Sequence, residues 1–423
     1  MTKQRSPKTK SATKKPTPKV SSPPAPPSVF VHASFVYTGT PIRKKQGRHL
    51  VASDLGAIAD GAVVCDSDRI LWVGPTEQIP REFRKIQAED LGQKRAIMPG
   101  LIDSHTHLVF AGSRAEEFAR RCAGTTYQEI AAEGGGILTT VRATREASVS
   151  ELFELALKRA LIAYRFGVRT LECKSGYGLD HESELKQLKV VEHLKDALPQ
   201  MNFVSTYLGA HALPQGRSRT DYVDEIVRKT LPAVAQKKLA AYCDVFVDEG
   251  YFTIVEAERI LRAAKKAGLR TKIHADELGN TESAALAAKL GADSADHLLK
   301  ISEAGIRTLA KSNTVATLLP GTALYLKEKF APARALLDAG ARVAIATDFN
   351  PGSSYTLNLP LMMNLSALYM QMNVAEIFAG VTYSAAASLG IEDRKGTLAA
   401  GYDSDFVVLP YDRFEEMYYR MGW

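Results

Sequence analysis

Leu101-Ile-Asp103-Ser-His105-Thr-His107 passes from apolar to polar side chains in one short run. Such a run suits a buried strand whose C-terminal end emerges at a site. Side chains two apart on a strand point the same way, so His105 and His107 can offer two imidazoles to one point. Comparable polar endings recur downstream, in His274-Ala-Asp-Glu277, in Asp296-His297 and at Asp348. Each lies at the end of a different candidate strand.

Working outward, eight segments read as parallel strands: Leu101–His105, Val168–Cys173, Asn202–Tyr207, Tyr242–Val247, Thr271–Ala275, Asp293–His297, Thr314–Leu318 and Val343–Asp348. Helical patterns lie between most of them, over Glu151–Tyr164, Glu182–Leu198, Thr220–Leu239, Val255–Ala267, Thr281–Leu290, Glu303–Leu309 and Ala331–Ala339. An open doubly wound sheet could use the same elements. A closed (β/α)8 barrel is preferred, because it brings the polar strand ends to one mouth. The expected fold class is therefore α/β, a TIM-like barrel. Short apolar runs broken by Gly, Asp and Pro before residue 97 predict small antiparallel strands, and Asp405-Phe-Val-Val-Leu repeats the pattern near the end. The two terminal portions are expected to complete one small β-sandwich domain, from residues 29–96 and 391–423, around a barrel over 97–390.

The chain has 423 residues, 45% of them apolar and 24% charged, which is ample for a large core. Its formal charge is +7, yet seven Lys or Arg and no acid fall within residues 1–30, so the remainder is neutral. That distribution gives no reason to expect a nucleic-acid-binding core. The same segment carries seven prolines and many Ser and Thr. It predicts a disordered basic tail over residues 1–28, without the apolar stretch of a secretory signal. Four scattered cysteines, Cys65, Cys122, Cys173 and Cys243, form no CxxC and read as reduced thiols in a cytoplasmic protein. No window reaches the roughly 20 apolar residues that span a bilayer. A homodimer is plausible on general grounds, with no residue pattern marking an interface.

A His-x-His pair alone is weak, since two such residues can simply be hydrogen-bonded at a surface. With His274 and Asp348 added from other parts of the barrel, the set suits one catalytic divalent ion, Zn2+ or Fe2+. Such an ion makes water nucleophilic and polarises a carbonyl. Asp348 can also hold and deprotonate the attacking water. His297 is read as orienting water or shuttling a proton rather than ligating. Glu277, near His274 in sequence, is a candidate for proton transfer to or from substrate, with a surface or capping carboxylate as its bland alternative. Cys173 and Cys243 read as small packed residues, not nucleophiles.

Met98-Pro-Gly-Leu-Ile-Asp-Ser-His-Thr-His107 resembles the metal-binding entrance of the amidohydrolase superfamily. Phe110-Ala-Gly-Ser-Arg114, Leu171-Glu-Cys-Lys-Ser-Gly-Tyr177, Leu208-Gly-Ala-His211, Lys272-Ile-His-Ala-Asp-Glu277 and Ala346-Thr-Asp-Phe-Asn350-Pro-Gly-Ser353 resemble the imidazolonepropionase family more narrowly. That resemblance implies hydrolysis of 4-imidazolone-5-propanoate to N-formimidoyl-L-glutamate in histidine degradation, with one zinc or iron ion. It puts the metal ligands on His105, His107, His274 and Asp348. It puts substrate contacts on Arg114, Tyr177, His211, Glu277, Asn350, Gly352 and Ser353. Arg114 would supply paired donors for the propanoate. Another cyclic amidohydrolase or an aromatic-base deaminase would use the same metal residues, and a barrel kept only as an interaction scaffold is the non-enzymatic alternative. The long basic tail is not part of the family pattern.

Overall fold

The computed structural model describes residues 27–125, 129 and 134–421. The tail expected over residues 1–28 thus lies outside the described residues as far as residue 26. Strand β1 (Ser28–Tyr37) pairs antiparallel with β2 (Ala57–Cys65), and β2 with β3 (Ile70–Pro75). Two short strands, β4 (Ala88–Asp90) and β5 (Ile97–Pro99), run parallel to β1. Phe406–Val408, from the far end of the chain, pairs antiparallel with β5 and completes a six-stranded sheet. Chain ends more than 300 residues apart in sequence therefore share one accessory sheet.

Gly100 is the hinge between this sheet and the next strand. A Cβ there would collide with the Asp405 carboxylate and the Arg169 side chain, so only glycine lets the chain turn. Beyond it, β6 (Leu101–Asp103), β7 (Val168–Lys174), β8 (Asn202–Ala210), β9 (Tyr242–Val247), β10 (Arg270–Ala275), β11 (Ser294–His297), β12 (Val315–Leu318) and β13 (Val343–Ile345) pair in sequence order as one eight-stranded parallel sheet. The molecule is the expected (β/α)8 barrel with an accessory β-sandwich. The sequence reading extends the first and last barrel strands to His105 and Asp348, whereas regular pairing stops at Asp103 and Ile345. Past those points the chain turns inward, and Asp348 takes a left-handed φ of 50°.

The outer helices follow from local chemistry. In Val149–Arg165, Ser148 accepts from the Glu151 amide while the Glu151 carboxylate accepts from the Ser148 amide, a reciprocal cap worth about 1 kcal/mol. Leu152, Ala156, Ala160 and Ala163 form its buried stripe. Gly167, at φ 89°, ends the turn and leads into β7. The single helix expected over Thr220–Leu239 is instead Arg219–Glu225, a π-helical turn over Ile226–Thr230, and Leu231–Gln236. Pro232 explains the difference: it lacks an amide, and its ring crowds the carbonyl four residues earlier, so the helix widens there. All four cysteines are free thiols. Among the described residues no helix is long and apolar enough to cross a membrane.

Candidate metal centre and active site

The strand ends converge as the barrel requires. His107, Arg114, Tyr177, His211, His274, Glu277, His297, Asp348, Asn350, Gly352 and Ser353 all line one cavity of about 750 Å3. His105, fully buried, lies beneath it. Every site residue singled out in the sequence is therefore in or against the same cavity.

Its floor is a cluster of imidazoles and carboxylates. His105 Nε2 lies 3.4 Å and His107 Nε2 3.5 Å from Asp348 Oδ1. His105 Nδ1 is 2.7 Å from Asp296 Oδ2, a carboxylate that only accepts, so the proton belongs on Nδ1 and Nε2 carries a lone pair. A lone pair facing a carboxylate oxygen is repulsive unless a proton or a metal cation lies between them, and a buried negative field of this kind favours either. His105 Nε2, His274 Nε2 and Asp348 Oδ1 are buried without a hydrogen-bond partner. His105, His107 and Asp348 form one group with ligand atoms within 4.8 Å of one another, and His105, His274 and His297 form a second. This donor set fits one divalent ion of borderline softness. Thr322 donates to Asp348 Oδ2 at 2.6 Å, which leaves Oδ1 aimed at the histidines.

The electrostatics agree. Burial and Lys174 oppose a charged His105, yet Asp296 and Asp348 outweigh them and raise the imidazole to about 9, so the site favours positive charge there. Burial also opposes ionisation of Asp348, but His105 and His107 hold it well below the usual carboxylate range. Glu277 lies with Oε2 3.4 Å from His297 Nε2; burial, then the Asp348 charge, raises it to about 8. His297 is lowered to about 4 and His211 to about 3, in each case chiefly by burial, so both rings are neutral. Three residues around the site have left-handed backbones, Asp276 at 49°, His297 at 78° and Asp348 at 50°. Such conformations cost about 1–3 kcal/mol each for non-glycine residues and concentrate at functional sites.

The walls come from loops. The buried Glu184 carboxylate accepts the amides of Gly176, Gly178 and Leu179 at 2.8–3.0 Å, and Gln187 Oε1 accepts that of Tyr177 at 3.2 Å. The Gly176 carbonyl accepts from His211 Nδ1 at 3.0 Å, leaving the His211 Nε2 lone pair available as an acceptor. Tyr177 packs edge-on against His211, and His211 stacks on His107 with ring centroids 5.0 Å apart. Arg114 Nε donates to Glu117 at 2.7 Å. The Asn350 amide is occupied by its own turn: Oδ1 accepts from the Gly352 and Ser353 amides, and Nδ2 donates to the Asp348 carbonyl and Ser353 Oγ.

Sequence reading missed what stands behind the ligands. Asp244 Oδ2 lies 3.0 Å from His274 Nδ1 as an ion-pair contact, whereas Asp296 is hydrogen-bonded to His105 Nδ1 at 2.7 Å. Lys174 donates to Asp244 at 2.7 Å and to Glu172 at 3.0 Å, and Lys272 donates to the Ser104 carbonyl at 2.8 Å while lying 3.2 Å from Glu172. All five charged side chains are fully buried inside the barrel. The sequence held only a partial signal: Glu172 with Lys174 and Lys272 with His274 lie two apart on one face of a predicted strand, where a fully buried charge needs a partner.

Comparison with known proteins agrees with this geometry. Residues 96–418 match the amidohydrolase family. The chain is 43% identical over 399 residues to an imidazolonepropionase of Clostridium tetani, covering 93% of this chain and 94% of that one. It is 47% identical over 380 residues to one of Porphyromonas gingivalis, covering 89% and 90%. Among solved structures, an adenosine deaminase from Xanthomonas campestris with bound zinc superposes with a TM-score of 0.67 at 19% identity, over 91% of this chain and 85% of that one. A triazine hydrolase from Arthrobacter aurescens gives 0.66 at 18%, over 90% and 86%. The structural likenesses speak for the barrel alone; the sequence identities, over nine-tenths of the chain, decide the narrower question. The chain belongs to the imidazolonepropionase family of amidohydrolases.

Proposed function

We infer that the protein hydrolyses the cyclic amide of 4-imidazolone-5-propanoate to N-formimidoyl-L-glutamate, a step of histidine degradation. The observation that carries the reading is one cavity that joins a cation-fitting floor to a guanidinium on its wall. His105, His107, His274 and Asp348 would hold the ion, Zn2+ or Fe2+. When bound, a divalent cation supplies Lewis acidity, lowering the pKa of water and polarising a carbonyl.

The remaining chemistry belongs to side chains. Arg114 grips the propanoate carboxylate through its terminal nitrogens. Tyr177 and the His211 Nε2 acceptor meet the polar edge of the ring, with Gly352 and Ser353 closing the opposite side. Asn350 shapes that side through its turn and would contact substrate or product by exchanging one of those bonds. Asp348 and Glu277 orient water toward the ring carbonyl and accept its proton. Glu277 and His297 return a proton to the ring nitrogen as the carbon–nitrogen bond breaks, and the former carbonyl carbon becomes the new carboxylate of the ring-opened product. Glu277 is suited to this exchange because its affinity for protons sits near neutral pH. A cytoplasmic location and a homodimeric assembly belong to the same proposal, supported by the four free thiols and by the frequency of symmetric dimers.

The test is turnover by protein reconstituted with zinc or with iron, on a panel of cyclic amides and amino-substituted aromatic bases. Preferential ring opening of the imidazolone is expected. Deamination of a base with no ring opening would replace this reading with the deaminase alternative.

A further inference from the structure

We propose that Glu117 is a positioning residue that makes the site selective for a carboxylate-bearing ring, by fixing the guanidinium of Arg114. The inference rests on Arg114 as the group that binds the substrate carboxylate. It adds a residue whose side chain does not line the cavity.

Arg114 immediately precedes the helix Ala115–Cys122, and Glu117 lies in the first turn of that helix. Glu117 Oε2 accepts from Arg114 Nε at 2.7 Å, and both side chains are mostly buried, at 11% and 15% exposure. Among the described residues, Arg114 makes no hydrogen bond through Nη1 or Nη2. The pair of donors at the end of the guanidinium is thus left for a ligand, and this end-on edge can meet a carboxylate with two parallel bonds. A Cβ at Gly352 would overlap Arg114 Nη1, so the guanidinium lies directly over that backbone. The second carboxylate oxygen of Glu117, Oε1, accepts from the Gly136 amide at 3.0 Å. Gly136 precedes the helix Ile137–Glu146, whose Ile137 lines the same cavity. One carboxylate therefore joins the arginine to a second segment of the wall.

The physical reason for the arrangement is preorganisation. A free arginine samples many rotamers, and a carboxylate ligand must order them on binding. Anchoring Nε removes much of that cost in advance. The arrangement also has an opposing term, because Glu117 places a negative charge near an anionic ligand. Orientation wins only if losing the anchor weakens binding of the acid.

The experiment uses the full-length, metal-loaded enzyme with two substrates, the imidazolone propanoate and the same ring bearing an uncharged ethyl group. Parent, Glu117→Gln, Arg114→Met and the double variant are compared. Glu117→Gln should raise KM for the acid roughly tenfold with kcat little changed, and should leave kcat/KM for the uncharged ring within about threefold. In the Arg114→Met background the same substitution should change kcat/KM for the acid by less than about threefold. Equal losses on both substrates, additive losses in the double variant, or a lower KM for the acid would overturn the proposal. If Arg114→Met itself leaves the preference for the acid intact, the reading of Arg114 fails, which is a different result. Should Glu117→Gln not fold, Glu117→Asp keeps the charge but shortens the reach, and must produce the same KM-confined loss.

Discussion

The backbone amide of Asp348 donates to the carbonyl of His105 at 3.0 Å, so two residues whose side chains face one another also share a main-chain bond. Two residues further on, the His107 amide donates to the Phe349 carbonyl at 2.9 Å. These contacts, with Asp103 accepting from the amide and hydroxyl of Thr347, join the first and last strands of the barrel. The seam of the barrel and the floor of the site are the same stretch of chain.

Metal removal should therefore loosen the fold as well as abolish activity. An ion present at a hundred times its dissociation constant adds about 2.7 kcal/mol of stability by mass action. Calorimetry of loaded and chelator-stripped protein should give a lower Tm for the stripped form, restored by adding back zinc or iron. Identical melting curves would dissociate the ion from this seam.

Ligation and proton transfer should separate by mutation. His105→Ala or Asp348→Ala should lose both bound metal and activity. Glu277→Gln preserves shape but removes the carboxylate, so metal content should stay at the parent level while kcat falls by about 100- to 10,000-fold. Elemental analysis alongside kinetics distinguishes these, and metal loss in Glu277→Gln equal to that in His105→Ala would make Glu277 a ligand.

Asp244 offers a sharper probe of the floor. An amide in its place removes the negative charge 3.0 Å from His274 Nδ1, which favours a cation bound through that ring, and it leaves Lys174 with one anion fewer. Partners of this kind typically contribute 10–100-fold to metal affinity. Competition with a chelator should show Asp244→Asn weakened by that order, whereas unchanged affinity would restrict Asp244 to balancing Lys174.

Glu184 should matter for both stability and substrate binding. Burial raises its pKa, and the three loop amides it accepts pull the other way. Glu184→Ala would leave those amides without their acceptor, at roughly 1–3 kcal/mol for each one that water cannot reach. Denaturant unfolding should report a loss of several kcal/mol, and the milder Glu184→Gln should fold with a raised KM, because Tyr177 and His211 both depend on this loop. An unperturbed KM in a folded Glu184→Gln variant would contradict the dependence.

Much of this was legible in the chain because barrel geometry is periodic. Strand and helix segments alternating along the chain, with polar residues at the ends of four candidate strands, were enough to gather His105, His274, His297 and Asp348 at one mouth. Asp244 and the two buried lysines were harder to read, since a charge inside a strand has meaning only once its partners from other strands are known. The occupied amide of Asn350 had no signal at all: it depends on the turn that Asp348, Gly352 and Ser353 make together. Pro232 was visible, but its effect was to widen a helix rather than to end it.

The most direct test of the central claim is turnover of the imidazolone in water enriched in oxygen-18, followed by mass spectrometry of the product. Hydrolysis of the ring amide predicts N-formimidoyl-L-glutamate with both ring nitrogens retained and one labelled oxygen in the new carboxylate. Release of ring nitrogen as ammonia, or ring opening without label in that carboxylate, would contradict it.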